Sequence, residues 1–469
     1  MLDKLAAIVG MQHVLTGAET SRYGHDFMRD YTWTPLAVCR PANTAEVAAL
    51  VRLANETKTP VVPVSGNTGM AGGTRAEGAI MISLERMNTI HEINVEARIA
   101  IVEAGVVLAN LREAASEHDL IFPLTFGAQG SAMIGGNLAT NAGGSNVLRY
   151  GNTRDLVLGI EAVLPDGSVM DIMSELHKDN SGYDLRHLLI GAEGTLGIIT
   201  AAVLKLAPKP RAYATAMAAV STLDQAVTLL NRVQEATGGA VEAFEYMPRN
   251  YIEQHLKIVA GAREPFDAAY DVNILVEVGA IAPHDAKPGP DGRVPITTCL
   301  ETVLGELFEE GALLDAVVAQ NETQRREMWE RREAATEVMI SGPPTQDSDI
   351  SLPLDKISTF LARAEKTIAT IDAGAKPMVV AHLGDGNLHY SVLLNRDDDQ
   401  TQHTFMEAIE EIVLDLGGSF SAEHGIGTSK LPSMARRKNK VALAAMRAIK
   451  SALDPNNIMN PGKVLPEED

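Results

Sequence analysis

Short runs of apolar, often β-branched residues separated by polar turns fill the first two hundred positions of the chain. Residues 36–38, 61–64, 80–84, 98–102, 160–164, 169–172 and 198–206 each read as a strand. Asn43-Thr44-Ala45-Glu46 resembles a capping box opening a helix through Val47, Leu50, Val51 and Ala54, and 107–117 carries helical spacing. Asp166-Gly167, between two of the runs, is a hairpin signal. Pro208 and Pro210 mark a boundary, after which strands and helices alternate from Ala212 to about Ala280. Residues 281–295, rich in proline, read as a surface excursion. Residues 321–340 read as one helix with Arg325, Trp329, Arg332 and Thr336 on a single face.

Two glycine-rich stretches break this pattern. The strand 61–64 runs into Ser65-Gly66-Asn67-Thr68-Gly69-Met70, with Gly72 and Gly73 beyond. Such a loop curls tightly and can aim several N–H groups at one point, which is how a chain without lysines binds a diphosphate. Gly-x-Gly-x-x-Gly is absent from it and no Gly-Lys-Ser/Thr closes it, so neither common nucleotide motif applies. The second stretch, 122–151, is too glycine-rich for a stable helix or strand by propensity, and its interleaved Ala, Ile and Leu suit burial around a flat or extended ligand.

Composition narrows the ligand and the setting. The formal net charge of -21 repels nucleic acid and anionic membranes at long range, so an anionic ligand needs local groups to hold it. No stretch approaches the ~20 apolar residues of a membrane span. Two cysteines far apart, Cys39 and Cys299, and the absence of a signal-like N-terminus lead to the expectation of a cytoplasmic protein.

The sharpest local chemistry lies in the last third. Taking Asp385-Gly386 as a two-residue turn pairs His382 directly with His389 across a hairpin, where facing Cβ atoms are ~4.5–5.5 Å apart and two imidazoles can share a metal ion. Glu423, in Ser421-Ala-Glu-His-Gly-Ile-Gly427, is the candidate third ligand. His424 adjoins it, and in a regular strand the two side chains point to opposite faces, so joint action requires a bend near Gly425.

Five motifs in order, the 65–69 loop, Gly135-Gly136-Asn137 with Thr140-Asn141, Gly191–Ile198, His382-x6-His389 and 421–427, resemble the FAD-dependent D-2-hydroxyacid dehydrogenases of the vanillyl-alcohol-oxidase type. The resemblance runs from about Trp33 to Lys463. It implies an α+β fold, two α/β subdomains gripping FAD and a cap domain with an antiparallel sheet and flanking helices. The expected divisions are an N-terminal helical extension at 1–34, an FAD-binding domain at 35–210, a substrate domain at 211–415 and a segment at 416–469 completing the flavin site.

By the same resemblance Ser65, Gly66, Asn67, Thr68, Gly69 and Met70 bind the diphosphate, and Pro63 is a further cofactor-binding residue. Pro123, Gly130, Ser131, Gly135, Gly136, Asn137, Thr140, Asn141, Gly143, Glu193, Gly197 and Ile198 lie along the cofactor, and Asn460 approaches the flavin. Relatives with a covalent flavin often carry a histidine in the first loop; Asn67 stands there, which implies dissociable FAD. His382, His389 and Glu423 would hold a divalent metal, zinc ahead of manganese or cobalt. Arg332 would hold the substrate carboxylate with Thr336 one turn away, and His424 would take the hydroxyl proton as the α-hydrogen leaves as hydride to the flavin.

Relatives acting on 2-hydroxyglutarate carry a lysine two residues before the Asp-x-Ser-Leu-Pro segment; Asp347 stands there, and Ser391 replaces an expected asparagine, which implies a monocarboxylic substrate. The lack of a nicotinamide fingerprint directs the electrons to an electron-transfer flavoprotein, a cytochrome or a quinone. A same-fold alcohol oxidase, an alkyl-transfer synthase and a flavin-bearing electron-transfer subunit are the alternatives, and the oligomeric state, a homodimer included, is open.

Overall fold

Consecutive β-branched and aliphatic residues in short runs favour buried strands, and the computed structural model, which describes residues 1–396 and 398–467, forms them almost where the pattern puts them. Residues divide into two units: 1–143 with 151–208 and 423–469, and 144–150 with 209–422.

In the first unit a four-stranded sheet is built from β1 (Val14–Leu15), β2 (Ala37–Cys39), β3 (Val61–Val64) and β4 (Ile80–Ser83), in the order β1-β2-β4-β3, with β2, β4 and β3 parallel. The helix Thr44–Thr57 crosses from β2 to β3; Asn43 caps it by accepting the Glu46 N–H at 3.0 Å. The reciprocal half of the capping box lands one residue early, because the Glu46 carboxylate takes the N–H of Ala42 at 2.7 Å. Residues 1–34 join this unit's core: Leu5, Val9 and Val14 pack with Val47, Leu50 and Ile80, and β1 pairs with β2.

An antiparallel sheet follows from β5 (Ile90–Asn94) and β6 (Ile99–Glu103); after β7 (Leu120–Ile121) come β8 (Val157–Val163), β9 (Val169–Ile172) and β10 (Ile198–Lys205). Its order is β5-β6-β10-β8-β9, with the expected hairpin at Asp166-Gly167 joining β8 to β9. A two-residue strand β11 (Ala207–Pro208) pairs with β7.

The second unit is one seven-stranded antiparallel sheet, from β12 (Ala212–Val220), β13 (Val241–Pro248), β14 (Val272–Ala280), β15 (Asp315–Val318), β16 (Thr345–Ser351), β17 (Lys376–His382) and β18 (Asn387–Leu393), in the order β15-β12-β14-β13-β17-β18-β16. Its central strands are aliphatic at alternate positions, and the helices Leu223–Ala236, Pro295–Glu309, Ile357–Ile371 and Asp399–Asp415 supply the apolar cover of one face. No helix among the described residues is long and apolar enough to cross a membrane.

Candidate active site

In the first unit, β3 carries Pro63 and Ser65 into the loop that ends at Met70. A Cβ on Gly66 would stand 2.2 Å from the Ser131 carbonyl oxygen, so only glycine lets the two loops meet backbone to backbone. Gly69 and Gly130 are exposed and have open space where a side chain would stand, leaving their backbone accessible. Asn67 shapes this loop: its amide donates to the His25 carbonyl at 2.8 Å and accepts from Thr74 Oγ1 at 2.7 Å.

The stretch expected to lack regular structure contains a short helix, Ile134–Thr140. Propensity loses to packing here, because Gly135 presents no side chain to Ala104, whose Cβ would be 2.8 Å from a Gly135 Cβ. Pro123 and Asn137 are buried, and the Asn137 Nδ2 has no hydrogen-bond acceptor among the described residues. Thr140 and Asn141 finish the helix; Asn141 Oδ1 accepts from the Arg154 N–H at 2.8 Å.

Glu193 is a clamp within this unit. Its carboxylate accepts the N–H groups of Ile426 at 2.7 Å and Gly427 at 2.8 Å. Burial raises its pKa above the ordinary value, against the pull of those two N–H bonds. Asn460 joins the same knot, donating from Nδ2 to the carbonyls of Glu193 at 2.7 Å and Gly73 at 3.0 Å while its Oδ1 is buried without a donor among the described residues. Orphaned amide groups on Asn137 and Asn460, and glycine positions opening on free space, fit a bound polar cofactor better than a closed core. Ile198, directly after Gly197, starts β10, and Gly143 ends the unit's first segment.

In the second unit the register puts a polar row on the face opposite the aliphatic core. Thr215 faces Glu277, Glu245 faces His382, His382 faces Asn387, and His389 faces Asp349. The expected direct pairing of His382 with His389 is therefore corrected: His389 stands opposite Val380, and the histidines are diagonal neighbours with ring centroids 5.3 Å apart. The turn holds four residues, 383–386, because Gly386 at φ 82 abuts the Leu352 carbonyl, which would lie 2.2 Å from a Cβ. The histidines still share a face, since diagonal positions on adjacent strands do.

Arg332 is buried, and its Nε donates to Glu245 Oε2 at 2.7 Å while Glu245 Oε1 bonds His382 Nδ1 at 2.9 Å. Burial pushes the Glu245 carboxyl up, but His382 and Arg332 outweigh it and hold its pKa below the ordinary value. Arg332 Nη2 is buried without an acceptor among the described residues. The helix expected over 321–340 breaks at Ala334 into Glu322–Glu333 and Ala335–Ile340, so Thr336 lies on a second short helix. Arg325 and Trp329 are spent on Glu277: both guanidinium bonds are 2.7 Å and the indole bond 2.8 Å.

Asp349 and Glu245 are the two acids that the sequence reading did not single out as site residues. Asp349 is buried, accepts Asn387 Nδ2 at 3.0 Å, and lies 3.9 Å from His389 Nδ1. A lone acid inside a strand carries no local signal; only the strand register shows which histidine it faces. Residues 419–422 run beside β16, Ser419 pairing with Ser351 and Ala422 donating its N–H to the Asp349 carbonyl at 3.2 Å. The next two residues bend, and His424 Nε2 and Glu423 Oε1 come within 3.9 Å of each other instead of pointing apart. Asp347 is exposed on the His389 face and accepts a hydrogen bond from Ser391 Oγ.

Residues 209–464 match the FAD linked oxidases, C-terminal domain, and residues 35–173 match the FAD binding domain. The chain belongs to the FAD linked oxidase family and is an FAD-dependent oxidoreductase of the D-2-hydroxyacid dehydrogenase type. Within it, the chain is 35% identical over 460 residues to D-2-hydroxyglutarate dehydrogenase of Xanthomonas citri pv. viticola, covering 96% of this chain and 94% of that one. It is 32% identical to the putative D-lactate dehydrogenase C713.03, mitochondrial, of Schizosaccharomyces pombe, covering 97% and 86%. Among solved structures, p-cresol methylhydroxylase with substrate bound superposes with a TM-score of 0.75 at 16% identity, covering 100% of this chain and 97% of that one. That likeness shows the vanillyl-alcohol-oxidase-type fold.

Proposed function

We propose that the chain oxidises a D-2-hydroxyacid to the 2-oxoacid, and that the polar face of its seven-stranded sheet is where the acid is gripped. The observation that carries this reading is the row Glu245, His382, His389 and Asp349, with the buried Arg332 Nη2 beside it lacking an acceptor among the described residues.

FAD, cradled by the loops at 65–70 and 130–141 with Glu193 and Asn460, would supply the two-electron acceptor; a divalent metal, zinc first, held by His382, His389 and Glu423, would supply Lewis acidity toward the hydroxyl. Support for a histidine ligand comes from the Glu245 carboxylate on Nδ1 of His382, the kind of partner that orients metal-binding imidazoles. Arg332 binds the substrate carboxylate through its unused N–H groups, with Thr336 nearby in sequence as a hydroxyl donor. His424 accepts the hydroxyl proton. Asn67 in place of a histidine supports a dissociable flavin.

For the tail of the substrate, Asp347 favours a monocarboxylic acid, since an exposed carboxylate on the His389 face repels a second carboxylate. The names of the relatives favour D-2-hydroxyglutarate instead, and a substrate screen decides. The electrons pass to an electron-transfer flavoprotein, a cytochrome or a quinone.

The test is a dye-coupled screen of D-2-hydroxyacids run with and without chelator on the FAD-loaded protein and its His424→Ala variant. The reading expects turnover of at least one D-acid, loss of it on chelation, and a fall of roughly 10²–10⁴-fold in the variant. Turnover untouched by the substitution sinks the assignment of the base, and a flavin inert to every hydroxyacid sinks the activity.

A further inference from the structure

Glu245 is a bridge. Its carboxylate, 1% exposed at the middle of the sheet, gives Oε1 to the imidazole of the neighbouring strand and Oε2 to a guanidinium carried by the helix Glu322–Glu333. One acid therefore ties together the strand-borne and helix-borne halves of the grip.

We propose that Glu245 is the positioning residue of the site, setting the tautomer of His382 and the orientation of Arg332 together. The proposal rests on the metal and carboxylate roles just given to those two residues. A carboxylate only accepts, so the 2.9 Å bond requires a proton on His382 Nδ1, and in the neutral ring this places the lone pair on Nε2. Such carboxylate–histidine pairs orient the ring and raise its basicity as a ligand. The same acid grips Arg332 by Nε, which fixes the plane of the guanidinium while Nη2 is left without an acceptor among the described residues. Losing Glu245 frees the ring to flip and the guanidinium to swing.

The fold supplies its own control. Glu277 is a second acid on the same face, 3% exposed, but its oxygens are spent on Thr215, Arg325 and Trp329. It anchors the same helix, and none of these hydrogen bonds reaches His382 or Arg332. A role confined to holding the helix down predicts equal effects from both acids, whereas positioning predicts effects from Glu245 alone.

The experiment uses the FAD-loaded full chain, stripped of metal with chelator and titrated with Zn²⁺ or Mn²⁺ in equilibrium dialysis. Glu245→Gln is expected to weaken metal binding by roughly 10–100-fold and to raise KM, with flavin content and circular dichroism unchanged, while Glu277→Gln stays within about twofold of the parent. Metal affinity of Glu245→Gln within about twofold of the parent overturns the proposal, as does an equal loss in Glu277→Gln. Should Glu245→Gln fail to hold FAD, Glu245→Asp, which keeps the charge on an arm one methylene shorter, is judged by the same thresholds. His382→Ala separates the levels: if it too binds metal normally, the metal site itself is misplaced, and if it alone loses metal, only the bridging role fails.

Discussion

The two faces of the seven-stranded sheet are made by the same strands and do different things. One face buries Phe244, Leu388, Tyr390 and Ile350 against Phe360, Phe405 and Leu300, a surface in which any side chain of the right volume contributes by area. The other buries Glu277, Glu245 and Asp349, each of which is stable there only because a named donor meets it. The first face carries the larger apolar cluster; the second has its own, including Met217, Met247, Leu275 and Val380, and spends part of the fold's stability to hold charged groups at fixed distances. A substitution on one face should therefore move the melting temperature and on the other the kinetics.

The largest expected effect is kinetic. If His389 holds the proposed metal, His389→Ala at this partly exposed position should lower kcat/KM by at least about 10²-fold, since Lewis-acid stabilisation amounts to several kcal/mol. Its melting temperature should shift little, as differential scanning calorimetry would report. On the other face, Phe360→Ala should cost about 3–5 kcal/mol of stability and leave KM of the folded fraction unchanged; a kinetic defect with normal stability would erase the distinction between faces.

Next in size is Arg332→Lys, which exchanges a planar fork for a point charge. KM should rise by roughly tenfold or more, in line with about 1.5–3 kcal/mol for a charged hydrogen bond, and kcat should change less. Smaller again, Asp347→Lys should raise kcat/KM for a dicarboxylic hydroxyacid relative to a monocarboxylic one by severalfold, because the position is exposed and the pair is partly screened. The most subtle contrast is with pH. Because the folded protein holds Glu245 below its ordinary pKa, the stability it contributes is complete above the unfolded value and drains away as pH falls through the folded one. A Glu245→Gln variant should therefore show a shallower acid limb in melting temperature, a limb that Phe360→Ala leaves in place.

Much of this was legible from residues alone. The strands at 61–64, 80–84, 160–164 and 198–206 and the hairpin at Asp166-Gly167 follow from period and punctuation, and the structure has them. What local pattern missed was decided by contacts distant in sequence. The helix Ile134–Thr140 exists because Gly135 packs on Ala104. The hairpin after His382 is two residues longer than its Asp-Gly suggested because Gly386 meets Leu352. Arg332 showed as a helix charge, while Glu245, eighty-seven positions earlier, had no feature to mark it as the group that holds it. Residues 144–150 pack in the second unit through Arg149 and Tyr150 on Glu242, a bond no window of sequence displays.

The most direct measurement is an anaerobic titration of the FAD-loaded protein with D-2-hydroxyacids, following the flavin absorbance before and after chelation and in His389→Ala. Stoichiometric bleaching by a D-acid, absent for its L-enantiomer and lost in both the chelated protein and the variant, is the result that the polar face as substrate grip predicts. Bleaching that proceeds at full rate without metal and without His389 would contradict it.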